Sequence, residues 1–183
     1  MATTPEAPGK RRSDPPQDQP VTAAELAEIG LFGALGEPML EHLAATLRLA
    51  TPQPGDIMFR EGDQAAEMYV VIDGEFEVLK RSKRGVDARV AVLGAGDWFG
   101  EMSILDVQPR SASVRVVSPS RVLIVTAADL DAMYRRDVRT YALFVLNIAR
   151  ELSRRLRVAD GILADLVTNL LADLVVKRRG PAT

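Results

Sequence analysis

The chain has 183 residues, of which 47% are hydrophobic and 26% charged, a composition typical of a globular domain with a sizeable core. A net charge of -2 provides no basic field, so we expect neither DNA nor a membrane as a partner. With no cysteine and a single histidine, disulfides, thiol catalysis and multi-histidine metal centres are excluded, and we expect no metal. The N-terminus lacks the apolar core of a signal peptide, which predicts a cytoplasmic location.

The N-terminal part of the chain divides into a tail and two helices. Residues 1–20 are rich in proline and poor in large apolar side chains, so we predict a disordered tail. Thr22 and Glu25 have the spacing of a capping box, which predicts a helix that ends near Ile29. A second amphipathic helix is predicted over residues 37–49.

From Thr51 the apolar pattern changes to period two, with glycine-containing turns between the apolar runs. The predicted strands are short and evenly spaced: 57–59, 68–72, 76–78, 88–93, 113–117 and 121–125. Many short strands separated by turns favour a sandwich or a barrel.

The C-terminal part is predicted to be helical. Thr126 with Asp129 caps a helix to about Arg136, and a long helix begins near Val138. Its apolar residues follow coiled-coil spacing at Val145, Leu152, Leu156, Ala159, Leu163, Leu166 and Leu170. The stripe could pack on the chain's own barrel, but it is longer than a barrel can cover. We therefore expect a homodimer, with another protein partner as the alternative.

Residues 94–114, between the two β-rich segments, combine the features of an anion site. Gly94, Gly96 and Gly100 allow the backbone to approach a ligand closely. The stretch 103–105 is predicted to form a helical turn whose first N–H groups are unpaired. Arg110 follows a proline and can make a bidentate contact to a phosphate.

The sequence Phe99-Gly100-Glu101-Met102-Ser103, a short spacer, and Pro109-Arg110-Ser111-Ala112-Ser113-Val114 resembles the phosphate-binding cassette of cyclic nucleotide-binding domains. That family includes the bacterial catabolite activator protein and the regulatory subunits of cAMP-dependent protein kinase. The resemblance runs from about Leu31 to about Leu166. It implies a mainly β fold, an eight-stranded jelly-roll barrel with N-terminal helices and a long C-terminal helix. We divide the chain into a tail (1–20), the domain (21–136), the long helix (137–179) and a short tail (180–183).

The resemblance also implies a ligand, a 3′,5′-cyclic nucleotide, and a set of contacts. Arg110 would pair with the cyclic phosphate, aided by the Ser103 amide and the Ser111 hydroxyl, and Glu101 would accept from the ribose 2′-hydroxyl. Gly100 would permit the close approach, and Met102 and Ala112 complete the cassette positions that we expect to contact ligand. The alternative is a salt bridge between Arg110 and Glu101 that only fixes a loop.

The choice of purine is left open by the sequence. Ala159 and Asp160 fall where catabolite activators carry hydroxyl residues, and Ala159 cannot bond a base through its side chain. Asp160 is a candidate base contact, but its carboxylate could accept from adenine or from guanine. The Arg-Ser-Ala sequence of the resemblance favours cAMP, with cGMP as the alternative.

The output of the domain is predicted from the helix that follows it. In activators of the family a DNA-binding module follows this helix, whereas the sequence here ends at Thr183, so we expect a sensor that signals through the helix without binding DNA. The alternative is a nucleotide-independent dimeric scaffold with a vestigial pocket. An enzyme is disfavoured, because the sequence offers no nucleophile–base pair.

Overall fold

The computed structural model describes residues 19–178, with side chains described as far as Asn169. The predicted tails, 1–20 and 180–183, lie outside this range except for Gln19 and Pro20. The helices are α1 Ala23–Ala27, a 3-10 helix Gly30–Phe32, α2 Glu37–Thr46, α3 Met102–Leu105, α4 Ala127–Arg136 and α5 Val138–Arg178. The strands are β1 Arg48–Ala50, β2 Ile57–Phe59, β3 Glu67–Asp73, β4 Phe76–Arg81, β5 Asp87–Leu93, β6 Trp98–Phe99, β7 Ser113–Val116 and β8 Arg121–Thr126.

The strands form two four-stranded antiparallel sheets, in the orders β1-β8-β3-β6 and β2-β7-β4-β5. Phe76, Phe99 and Val114 are among the side chains of a core that both sheets share. The predicted fold class, eight strands flanked by N-terminal helices and a long C-terminal helix, is confirmed.

A second core joins the helices to one of the sheets. Leu26, Phe32, Phe144 and Ile148 lie in it and are at most 1% exposed, together with Met68 and Val70 of β3. The first part of α5 therefore packs between the N-terminal helices and the strands. This position fixes where the helix enters the functional region.

The structure differs from the predicted elements at two short strands. The second helix ends at Thr46, not at residue 49, because Leu47 already has extended backbone with ψ 140°. The next residues pair with β8 as β1. Trp98 and Phe99, which carried no strand prediction, pair with β3 as β6.

The helix α5 has a buried half and an exposed half. Asn147 ties the first half to the 3-10 helix region, since its amide donates to the carbonyl oxygens of Leu31 and Gly33, both at 3.0 Å. From Leu156 to Asn169 every residue is exposed. Within residues 19–178, no helix has an apolar stretch long enough to cross a membrane.

Candidate functional site

A cavity of about 480 Å³ lies between the sheet β2-β7-β4-β5, the segment 99–112 and α5. Its polar lining groups come from this segment and from one arginine of α5, and the rest of its lining is apolar. The lining residues are Phe59, Val78, Ala91, Leu93, Phe99, Gly100, Glu101, Met102, Ser103, Arg110, Ser111, Ala112, Val114, Leu152, Arg155, Leu156 and Ala159.

Glycine is required at position 100 for two reasons. Its φ is +82°, in the left-handed region that side chains disfavour. A Cβ atom there would also lie 2.4 Å from Nη1 of Arg110. The backbone then enters α3, where the amides of Met102 and Ser103 precede the first intrahelical hydrogen bonds. Close approach and free N–H groups therefore occur together.

Arg110 is the most unusual side chain of the cavity, because it is a buried cation without a carboxylate partner. It is only 3% exposed, and Nη1 donates to the carbonyl oxygen of Gly100 at 2.9 Å. Its Nε and Nη2 have no hydrogen-bond partner, and no carboxylate of the described residues lies within ion-pair distance. Burial lowers the pKa of the guanidinium, although nearby Tyr69 and acidic groups oppose the shift.

Packing and backbone contacts hold Arg110 in place. The guanidinium carbon lies 4.0 Å from the centroid of the Phe59 ring, a cation–π geometry. The Arg110 amide donates to the carbonyl of Asp63, and the Gly62 amide donates to the carbonyl of Arg110, both at 2.9 Å. Since a buried unpaired charge is costly, such a preorganised cation indicates a site for an anion. The alternative of an Arg110–Glu101 salt bridge is not supported.

Glu101 is 4% exposed and faces a different arginine. Its Oε1 lies 3.5 Å from Nη1 of Arg155. Burial raises the pKa of Glu101, while its own backbone hydrogen bond, Arg155 and Arg110 act in the opposite direction. The carboxylate therefore has unused acceptor capacity inside the cavity.

Arg155 connects α5 to the cassette and was not foreseen from the sequence. Its Nη2 donates to the carbonyl oxygen of Trp98 and its Nε to Glu151, both at 2.9 Å. The contact with Glu101 joins residues 54 positions apart. No local sequence pattern predicts the contact between Arg155 and Glu101, because Arg155 looks like any other charged residue on an amphipathic helix.

The structure places seven of the eight predicted site residues together. Gly100, Glu101, Met102, Ser103, Arg110, Ser111 and Ala112 all line the cavity. Asp160 does not: it is exposed, and its neighbour Ala159 faces the cavity instead. Consecutive helical residues differ by about 100° in direction, which explains why only one of the two can face inward.

The helix also contributes apolar lining that sequence reasoning assigned differently. The sequence pattern predicts Leu152, Leu156 and Ala159 to lie in a dimer seam, and in the structure all three line the cavity. The spacing of these three residues, three or four positions apart, is the sequence signal that they share one face of the helix. Among the described residues, no group of three histidine, aspartate or glutamate side chains is placed to hold a metal ion.

Comparison with known proteins agrees with this geometry. Residues 51–137 match the profile of the cyclic nucleotide-binding domain. These residues form a cyclic nucleotide-binding domain. The resemblance noted in the cassette is therefore confirmed, and the matched segment contains every cavity residue from Phe59 to Val114.

The chain is similar to proteins with different names and roles. A CRP-like cAMP-activated global transcriptional regulator of Mycobacterium tuberculosis is 28% identical over 153 residues, which cover 84% of this chain and 66% of the relative. A cAMP-dependent protein kinase regulatory subunit of Yarrowia lipolytica is 35% identical over 97 residues, which cover 53% of this chain and 25% of the relative.

A solved structure extends the likeness to the fold. The catabolite activator protein of Thermus thermophilus matches with a TM-score of 0.64 and 31% identity, covering 78% of this chain and 63% of that one. The chain thus spans between 25% and 66% of the length of these three proteins. Their shared part is the domain, whereas their outputs differ.

Proposed function

We propose that the chain is a cyclic nucleotide sensor, a regulatory binding protein and not an enzyme, whose cavity binds cAMP. The observation that carries the proposal is Arg110, buried and unpaired at the wall of the cavity. Its guanidinium would bind the cyclic phosphate through Nε and Nη2, the two groups without a hydrogen-bond partner among the described residues. The amide of Ser103 and the hydroxyl of Ser111 would contribute further donors.

Glu101 would accept from the ribose 2′-hydroxyl while keeping its contact with Arg155. A buried carboxylate whose partner is missing is costly, so a deoxyribose analogue should bind more weakly than cAMP. Met102, which is 45% exposed, and Ala112 would form the outer wall around the sugar and phosphate.

The apolar part of the lining favours adenine over guanine in this proposal. Val78, Leu93, Leu152, Leu156 and Ala159 offer no side-chain hydrogen bonds to a base. Guanine presents more polar groups than adenine, and burying them without partners costs free energy. Asp160 is exposed and does not line the cavity, so its carboxylate is not placed to compensate for that cost.

The decisive experiment is calorimetric titration of the chain with cAMP and then with cGMP. Binding of cAMP that is tighter than that of cGMP, and that is lost in Arg110→Ala, would support the sensor. If neither nucleotide produces heat or a thermal shift, the proposal fails and the nucleotide-independent scaffold becomes the better hypothesis.

We further infer that the readout is the exposed half of α5, paired with a second copy of the chain in the cytoplasm. Six large apolar side chains there are between 47% and 64% exposed: Leu156, Val158, Ile162, Leu163, Leu166 and Val167. Leu156 also lines the cavity, so a bound nucleotide would contact the start of this face.

Sedimentation velocity tests the pairing. The wild-type chain should sediment as a dimer, and Leu163→Glu should sediment as a monomer, since it places a charge in the apolar seam. The exposed Arg139→Gln is the control on the same helix. A wild-type chain that remains monomeric at all concentrations would contradict a dimeric readout and direct attention to another protein partner.

A further inference from the structure

A second cavity, of about 310 Å³, lies where α5 meets the 3-10 helix and β6. It shares no lining residue with the first cavity. Its lining residues are Gly30, Trp98, Asn147, Arg150, Glu151 and Arg154.

Trp98 contributes an unpaired donor to this region. The side chain is 5% exposed, and its Nε1 is buried without an acceptor among the described residues. An indole N–H can only donate, and a buried donor without a partner costs free energy. The described residues supply no acceptor for the indole N–H of Trp98, so an acceptor from a ligand would be favourable there.

Most side-chain acceptors of the cavity already contact groups of the protein. The amide group of Asn147 donates to two backbone carbonyl oxygens. Its Oδ1 accepts from Nη1 of Arg150 at 2.9 Å. The Glu151 carboxylate lies in ion-pair contact with Arg154 and Arg155, although its Oε2 has no hydrogen-bond partner among the described residues. Each guanidinium has five N–H donors, and these contacts leave most donors of Arg150 and Arg154 free. Among the described residues, the free donors of the cavity therefore outnumber its one buried acceptor without a hydrogen bond, Oε2 of Glu151.

The charges of the lining lead to the same chemistry. Two arginines face a single glutamate, and that glutamate also pairs with Arg155. A volume near 310 Å³ is at the lower end of the range for ligand pockets, so the occupant is small. We propose that this cavity binds a small oxyanion, the carboxylate or phosphate group of a small molecule, through Trp98, Arg150 and Arg154. This site is separate from the proposed nucleotide site.

Fluorescence can report on the site directly, because Trp98 is the only tryptophan of the chain. We would titrate the full chain with inorganic phosphate and, separately, with malonate, at constant ionic strength. The Arg110→Gln chain is used throughout, so that phosphate bound near Arg110 does not contribute. A saturable change in Trp98 emission is expected with at least one of the two anions.

Arginine variants then assign the response. Adding Arg154→Gln should weaken the apparent affinity roughly tenfold, the loss expected for one charge-assisted hydrogen bond. Adding Arg139→Gln instead, on the same helix but outside the cavity, should leave the affinity unchanged. Since the Arg154 side chain is 73% exposed, its substitution should not disturb folding.

The indole is tested by calorimetry with Trp98→Phe, which keeps an aromatic ring but removes the N–H. Binding of the same anion should weaken roughly tenfold. The proposal is overturned if neither anion gives a saturable response in the Arg110→Gln chain, or if Arg154→Gln or Trp98→Phe binds the anion as tightly as its parent.

Discussion

Arg110 and Arg121 are both buried arginines on the same domain, 3% and 5% exposed, but their surroundings differ. Arg121 donates to the carbonyl oxygen of Gln19 at 2.9 Å and lies 3.5 Å from the carboxylate of Glu25. Arg110 has one backbone carbonyl and an aromatic ring, but no carboxylate. The charge of Arg121 is thus neutralised within the protein, whereas the described residues supply no carboxylate for that of Arg110. Burial alone does not mark a binding residue, whereas burial without a counter-charge does.

The largest expected effect is the difference in cAMP affinity and stability between two single variants, Arg110→Ala and Arg121→Ala. Arg110→Ala should weaken cAMP binding by about 100-fold or more, because it removes one partner of a buried ion pair. It should not lower the melting temperature of the ligand-free chain, since an unpaired buried charge disappears.

Arg121→Ala should behave in the opposite way. It should lower the stability by about 1–3 kcal/mol through lost hydrogen bonds, and leave cAMP affinity unchanged. Calorimetry and thermal unfolding on both variants measure the contrast. Two variants with the same profile would remove the distinction between a ligand arginine and a structural one.

Gly100→Ala should produce the next largest effect. The left-handed backbone costs about 1–2 kcal/mol for a side chain, and the new methyl group would displace the Arg110 guanidinium. Both stability and cAMP affinity should fall. Gly96→Ala is the matched control: its φ is +88°, but nothing lies within 4 Å of its Cβ position. It should lose stability alone, and equal losses of affinity in both variants would contradict the proposed displacement.

Phe59→Leu should have a smaller effect on affinity, with some loss of stability because the ring also packs against Tyr69 and Phe99. It removes the ring beneath Arg110 and should weaken cAMP binding about threefold to tenfold, the range of a partly buried cation–π contact. Phe76→Leu is the control, because Phe76 is fully buried in the same core but does not line the cavity. It should reduce stability by up to about 1.5 kcal/mol without changing affinity. An unchanged affinity in Phe59→Leu would show that the backbone contacts alone position the arginine.

Glu101 provides the smallest effect, a pH dependence of stability without ligand. Since its pKa in the folded chain is raised, the ionised carboxylate costs stability. This cost is absent below the unfolded pKa of about 4.3 and grows as the pH rises towards the folded pKa. The melting temperature of Glu101→Gln relative to wild type should therefore rise with pH above about 4.3 and then level off. A difference that shrinks with rising pH would mean that Arg155 stabilises the ionised form more than burial opposes it.

The sequence predicted the features that depend on local patterns. The spacing from Gly100 to Arg110 and the capping boxes at Thr22 and Thr126 are visible in short windows, and both capping boxes form. Arg155 was missed because its partners, Glu101 and the Trp98 carbonyl, lie more than fifty positions away.

Asp160 shows a second limit of sequence reasoning. Its charge made it a candidate, but the rotation of α5 about its own axis decides which of two adjacent residues faces the cavity. That rotation is fixed by tertiary packing at Phe144 and Ile148, both fully buried. The short strands β1 and β6 were not predicted, because two or three residues are too few to show the alternating pattern of a strand.

Two backbone hydrogen bonds join Arg110 to the Gly62–Asp63 turn. The cassette therefore depends on a second segment and cannot be transferred alone to another protein. Residues 94–114 grafted onto another loop would keep every side chain of the phosphate site but lose the strand connection that aims the arginine. Transferring the site to a new scaffold would require the β2–β3 turn as well, so the smallest transferable unit is a pair of segments joined by these backbone hydrogen bonds.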